Sequence, residues 1–314
     1  MAKLPWHNDY PLDPARVRDI LGVDLGAELT LEHVVALGEG WDFTTYLIDG
    51  EWVFRFPKRR QSARQLARER RLLDAIGDAL ADQPVAIPRY RYVVERSKRF
   101  ALGYVGYPLL RGDALVDCHD ELDPAVIGRE LGRFLKQLQT APAPLRPPRV
   151  YRDSFPSDLI EFRREFADAR ASLPESIAAA CERLLARTPP RDPGPPVFQH
   201  GDLGAEHILI DRARGSIVAV IDWGDAGWGN GVADVVGLWG WGGDPAVAAA
   251  VSEWGRVMST DDWIRLRTWG VAYAIGTAYY GYKDGRQGLH AAALRWLDRM
   301  NRAGQLDDPA ARDG

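Results

Sequence analysis

The chain of 314 residues has only two cysteines, Cys118 and Cys181. Two cannot build a disulfide framework, and their spacing matches no metal-binding motif, which suits a reducing cytoplasm. No apolar run approaches the roughly 20 residues of a membrane helix, so no membrane partner is expected. Met1 to Trp6 carries one cation and no apolar stretch, so no secretory leader is expected. There is no basic excess either. Forty Lys and Arg face 44 Asp and Glu, a net charge of -4. Binding to a phosphate backbone demands the opposite balance, so a nucleic-acid partner is not expected. Nowhere does Gly-x-x-x-x-Gly-Lys-Ser/Thr occur, which excludes a Walker-type phosphate loop, and no internal repeat is visible. The abundant residue is tryptophan: seven of eleven fall between Trp223 and Tyr282.

The first third reads as strand-rich. A short helix over 13–21 precedes strands over 30–36, 43–48 and 52–56. The last two are separated by Asp49-Gly50, a strong hairpin signal. Leu37 to Gly40 reads as the first strand-to-strand turn. Apolar spacing predicts a helix over 62–76, with Glu69 inside its stripe. A second hairpin is expected from 90–95 and 100–104. Gly106 to Gly112, bounded by Gly and Pro, reads as a hinge. Helices are expected over 124–139, 158–169, 175–186, 231–241, 247–258, 262–282 and 290–303, with short strands over 197–199, 208–210 and 217–221. A Pro-rich loop spans 141–148, 189–196 reads as a break, and the final residues as frayed.

Chemistry concentrates in His200-Gly201-Asp202-Leu203-Gly204-Ala205-Glu206-His207, between two short strands. Asp222 lies twenty residues beyond Asp202, at the end of the run Val218 to Ile221. Arg55 interrupts the apolar strand 52–56. A charge there needs a partner, and Glu69 is the obvious one. Lys58, Arg59 and Arg60 read as a solvated face. Gly38 and Gly40 suit a turn whose N–H groups cover phosphates.

His200-Gly201-Asp202, His207 five residues after Asp202, and Ile221-Asp222-Trp223 together resemble the signature of the aminoglycoside phosphotransferase family, over essentially the whole chain. The resemblance implies an α+β, two-lobed protein-kinase-like fold. Its strand-rich nucleotide-binding lobe would span 1–105, the hinge 106–112, and the mainly helical catalytic lobe 113–314. It implies Asp202 as catalytic base and Asp222 as Mg2+ ligand. Arg55, with Glu69, would grip the phosphates of ATP or GTP, and Gly38, Gly40, Tyr107 and Leu109 would also contact the nucleotide. The family usually has Asn where His207 stands. Histidine there looks like the macrolide branch, and imidazole is a poorer Mg2+ ligand than an amide oxygen. Asp234 reads as a brace for the catalytic loop.

The acceptor site would lie in the aromatic-rich lobe, with Trp228, Trp239, Tyr273 and Tyr279 as its wall. The implied activity is transfer of the γ-phosphoryl group to a hydroxyl of a small antibiotic, by a cytoplasmic monomer. A metabolite kinase acting on a sugar, choline or homoserine is the alternative within enzymes, and a silent nucleotide-binding module the alternative outside them. Residues 244–314 hold nine acids and nine Lys or Arg. That balance, and the aromatics, favour a macrolide over a polycationic aminoglycoside.

Overall fold

The computed structural model describes residues 7–118, 121–141, 155–186, 195–283, 285 and 287–306. The chain divides into two compact units, residues 1–111 with 219–224, and residues 112–218 with 225–314.

The first unit opens with α1 (Pro14–Leu25). Asp13 caps it by accepting the Arg16 N–H at 2.7 Å, and Pro14 supplies a preset φ at the first helical position. Strands β1 (Val34–Glu39), β2 (Phe43–Ile48) and β3 (Trp52–Pro57) follow, then α2 (Arg60–Gly77), β4 (Tyr92–Val94) and β5 (Tyr104–Pro108). The sheet is antiparallel throughout, in the order β1-β2-β3-β5-β4. Alternation along the strands sorts its two faces. Tyr46, Ile48, Phe54 and Phe56 pack with Val17, Ile20 and Leu21 of α1. Phe43 and Val105 pack with Leu66 of α2. Each fully buried side chain of this size contributes about 1.5–3 kcal/mol.

Asp49 and Gly50 turn the β2–β3 hairpin with positive φ of 52° and 69°, the conformation of a primed two-residue turn. The expected strand over 30–36 instead starts at Val34. Asp49 takes the hydroxyl of Thr30 and the N–H groups of Leu31 and His33, which keeps 30–33 out of the ladder. At its far end β1 runs on through Gly38 and Glu39, past an irregularity in its register, so these two are strand residues and not turn. The strand expected over 100–104 begins only at Tyr104. Ser97 accepts the N–H groups of Arg99 and Phe100 in a local turn. Gly106, Tyr107 and Pro108, read as hinge, are therefore strand residues of β5. Tyr107 pairs with Val53 and Pro108 with Trp52.

The second unit contains β6 (Asp113–Ala114), α3 (Pro124–Thr140), α4 (Phe155–Ala169), α5 (Glu175–Leu185) and β7 (Val197–Gln199). Next come β8 (Ile208–Asp211), β9 (Ser216–Val220, of which 216–218 belong to this unit) and β10 (Gly227–Gly229). Helices α6 (Val236–Trp254), α7 (Thr260–Lys283) and α8 (Gln287–Arg302) complete it. The apolar face of α3 is buried as its spacing predicts, through Ile127, Leu131, Phe134, Leu135 and Leu138. Its Gly128 and Gly132 let the backbone of α6 approach so closely that an added Cβ would meet the Ala246 and Ala250 carbonyls at 2.2 and 2.1 Å. The two helices expected over 231–241 and 247–258 form one broken element, α6. It starts at Val236 after a tight turn and is interrupted at Gly243, where φ is 69°. β10 pairs with β7 and was not legible in the sequence; Gly227-Trp228-Gly229 is too short to show alternation. Most of the Pro-rich loop and of the break at 189–196, and the last eight residues, lie outside the described residues.

Candidate active site

Arg55 projects from β3 onto the face covered by α2. It is 5% exposed and lies over the Phe43 ring, 4.2 Å from its centroid. Nη1 donates to Glu69 Oε1 at 2.6 Å and to the Tyr90 hydroxyl at 3.3 Å. Tyr90 in turn donates to Glu69 Oε1 at 2.7 Å. Nη2 donates to Asp222 Oδ1 at 2.7 Å. So α2 supplies the carboxylate that the buried cation needs, and the segment around Asp222 supplies a second. Burial opposes the charge on Arg55, but Asp222 and then Glu69 outweigh it and hold the guanidinium well above its ordinary pKa. Burial pushes the Glu69 carboxyl up, against the pull of Arg55. Asp222 has a positive φ of 64°, which is uncommon outside glycine and clusters at functional sites. Its side chain is 42% exposed.

The other nucleotide candidates in this unit are less simply disposed. Gly40 turns the chain, its N–H donating to the Phe43 carbonyl at 2.9 Å, while Gly38 lies in an exposed strand. Neither has a positive φ. Tyr107 is buried, and burial pushes its hydroxyl up to about 12. The Leu109 N–H is committed to the Glu51 carbonyl at 2.7 Å, so it is not a donor for a base edge. Lys58 and Arg59 are not a solvated face. Lys58 is 3% exposed, and its ammonium donates to the Gly40 carbonyl at 3.0 Å and pairs with Glu39 at 2.9 Å. Arg59 pairs with Asp42. These cations strap the β1–β2 turn from β3, and no local pattern in the sequence announces a contact of that range.

In the second unit Asp202 follows β7 on a loop braced from below. Asp234 is 1% exposed and accepts the His200 N–H on Oδ2 and the Gly201 N–H on Oδ1, each at 2.8 Å. Burial raises its carboxyl to about 7, against those two N–H groups and with a further push from Asp202. Gly201 has φ 87°, and a Cβ there would lie 2.6 Å from the Asp225 carbonyl, so only glycine suits. Beyond Asp202 the chain tightens. Gly204 N–H donates to the Asp202 carbonyl and His207 N–H to the Gly204 carbonyl, both at 3.0 Å. His207 Nδ1 lies 2.8 Å from the Asp202 carbonyl. A carbonyl can only accept, so Nδ1 carries the proton and a neutral His207 keeps its lone pair on Nε2.

Asp202 opens onto a cavity of about 390 Å³ whose walls include Asp158, Phe162, Trp228, Trp269 and Tyr273. Of the four aromatics expected there, Trp228 and Tyr273 are present. Trp239 is not: it is 1% exposed, donates its indole N–H to Asp244 and packs on Trp296. Tyr279 lies under the Lys283 ammonium and is absent from the lining. Spacing along a helix shows which residues share a face, not which face meets the cavity. Asp158 and Phe162 were missed, and Trp269, one of the tryptophans clustered between 223 and 282, was not singled out. Asp158 and Phe162 are i and i+4 on α4, a spacing that gives them one face but signals no chemistry by itself.

Among the described residues no cluster of three or more His, Cys, Asp or Glu side chains could hold a metal ion alone. No described helix is long and apolar enough to cross a membrane.

Solved structures share this fold. The GDP and kanamycin complex of APH(2'')-IIIa superposes with a TM-score of 0.69 at 21% identity, covering 91% of this chain and 98% of that one. Macrolide 2'-phosphotransferase type I gives 0.60 at 19% identity, covering 91% and 98%. Macrolide 2'-phosphotransferase MphH from Brachybacterium faecium gives 0.55 at 23% identity, covering 89% and 97%. In sequence, residues 33–269 match the model of the Phosphotransferase enzyme family. With three-quarters of its length in that match, the chain belongs to the Phosphotransferase enzyme family.

Proposed function

We propose that the protein transfers the γ-phosphoryl group of ATP or GTP to a hydroxyl of a small-molecule antibiotic, a macrolide before an aminoglycoside. The observation that carries this reading is the Asp202 loop, braced by Asp234 and opening onto an aromatic-walled cavity. Asp202 orients the acceptor hydroxyl and takes its proton as the hydroxyl oxygen bonds to the γ-phosphorus, while the bond to the nucleoside diphosphate breaks.

Arg55 serves the phosphates. Of its five N–H donors, Glu69, Tyr90 and Asp222 engage three, leaving Nε and one hydrogen of Nη2 for phosphate oxygens. Asp222 offers Mg2+ a hard, partly exposed carboxylate, and His207 offers one neutral nitrogen, Nε2. When bound, Mg2+ would offset the negative charge of the phosphates.

The cavity supports the acceptor class. Its described lining combines Asp158 and Asp202 with Phe162, Trp228, Trp269 and Tyr273, and holds no Lys or Arg. Such a wall suits a cationic amino sugar on an apolar body and disfavours anionic metabolites. The acids that matter come from α4 and the Asp202 loop, outside the 244–314 stretch whose balance favoured a macrolide. The aromatic walls therefore bear the preference, and the two carboxylates are what an aminoglycoside would use.

The test is mass spectrometry of product after incubation with Mg2+, each nucleotide, and erythromycin-type or kanamycin-type compounds. Phosphorylated erythromycin is the expected result. Product from kanamycin alone would reverse the preference, and product from neither would remove the antibiotic reading. Asp202→Ala should lower kcat by about 10²–10⁴ with the fold intact; near-wild-type turnover in that variant would remove Asp202 from its role.

A further inference from the structure

The turn Ala205–His207 is gripped from outside by one side chain. Tyr273 of α7 donates its hydroxyl proton to Glu206 Oε1, across 67 residues of sequence. The same tyrosine lines the cavity onto which Asp202 opens. Glu206 folds back over its own turn, so that a Cβ on Gly204 would lie 2.5 Å from both carboxylate oxygens. The Gly204 N–H closes the turn on the Asp202 carbonyl, and the His207 N–H on the Gly204 carbonyl. One hydrogen bond thus joins the cavity wall to the backbone that sets the direction of Asp202. Glu206 itself is not among the lining residues.

We propose that Glu206 and Tyr273 form a positioning pair that ties the Asp202 turn to the wall of the acceptor cavity. This rests on the reading of Asp202 as the base. A bond anchored on helix α7 removes freedom from a loop that carries one reacting partner, and small misplacements of such a group cost turnover more than binding. Removing the hydroxyl leaves the ring in the wall and frees the turn. Glu206→Gln keeps an oxygen that can accept the tyrosine proton, whereas Glu206→Ala does not.

The experiment compares Tyr273→Phe, Glu206→Ala, Glu206→Gln and the Phe/Ala double variant. Two readouts are used: steady-state kinetics, and hydrogen exchange of the Gly204 and His207 amides in the full-length protein. Tyr273→Phe and Glu206→Ala should each lower kcat about tenfold, the loss of about one hydrogen bond, with the acceptor KM little changed. The double variant should be no worse than either single one, Glu206→Gln should retain most turnover, and both amides should exchange faster in the two disrupted variants. Multiplying losses, unchanged exchange, or a defect confined to acceptor KM would overturn the proposal. Retained turnover in Asp202→Ala would instead remove the underlying reading, with the exchange arm still reporting the tether by itself.

Discussion

Asp234 accepts the N–H groups of two consecutive residues, His200 on one carboxylate oxygen and Gly201 on the other. A side chain 34 residues downstream thereby fixes the backbone that leads into Asp202.

This brace has a pH signature. Burial raises the Asp234 carboxyl to about 7, far above the ordinary value of about 3.9. The folded state then holds the proton more tightly than the unfolded chain. The group's contribution to stability is fully present below about pH 4 and is lost as pH rises through about 7. Urea midpoints of wild type and Asp234→Asn, measured from pH 4 to 8, check this. The wild type should lose stability relative to the variant as pH rises. A constant difference between the two would show that Asp234 does not titrate differently on folding.

The Arg55–Glu69 pair should be coupled. Both side chains are buried, and removing one partner strands the other, at a cost of about 3–5 kcal/mol for a buried pair. Glu69→Gln should be milder, because its amide oxygen still accepts from Tyr90 and Arg55. A double-mutant cycle over Arg55 and Glu69 on nucleotide KM or kcat should give a coupling of about 0.5–3 kcal/mol. Additive effects would show that the pair does not act together on the nucleotide.

His207 serves two ends. Its Nδ1–H holds the Asp202 carbonyl, and its Nε2 is the nitrogen a cation could use. His207→Asn should keep substantial Mg2+-dependent turnover, since an amide offers a donor and a harder ligand oxygen. His207→Ala should raise the Mg2+ concentration needed for half-maximal activity. An Ala variant with an unchanged metal titration would leave only the structural role.

Two tryptophans separate wall from core. Trp228 lines the cavity, so Trp228→Ala should raise the acceptor KM with little loss of stability. Trp239 is buried, so Trp239→Ala should cost about 3–5 kcal/mol in unfolding free energy and leave acceptor KM near wild type in the folded fraction. The reverse pattern, read by denaturant unfolding beside kinetics, would exchange their assignments.

What the sequence determined was local or chemically insistent. Asp49-Gly50 demanded a tight hairpin because few residues accept two positive φ values in succession. The spacing of Ile127, Leu131, Phe134, Leu135 and Leu138 wrote one apolar helix face. Arg55 in an apolar strand required a buried acid, and Glu69 in an apolar helical stripe was the acid to hand. His200-Gly201-Asp202, His207 and Ile221-Asp222-Trp223 together carried the resemblance to a phosphotransferase signature, although an Asp in a loop is by itself common turn chemistry. Tertiary structure decided what depends on direction in space. Trp228 and Trp239 are alike in sequence, yet one meets the cavity and the other lies under Trp296. Lys58 and Arg59 looked solvated until the β1–β2 turn folded back onto them. Asp158 reaches the cavity from α4, and the Glu206–Tyr273 bond joins a turn to a helix 67 residues further on. Periodicity reports which residues share a face; only packing reports what that face meets.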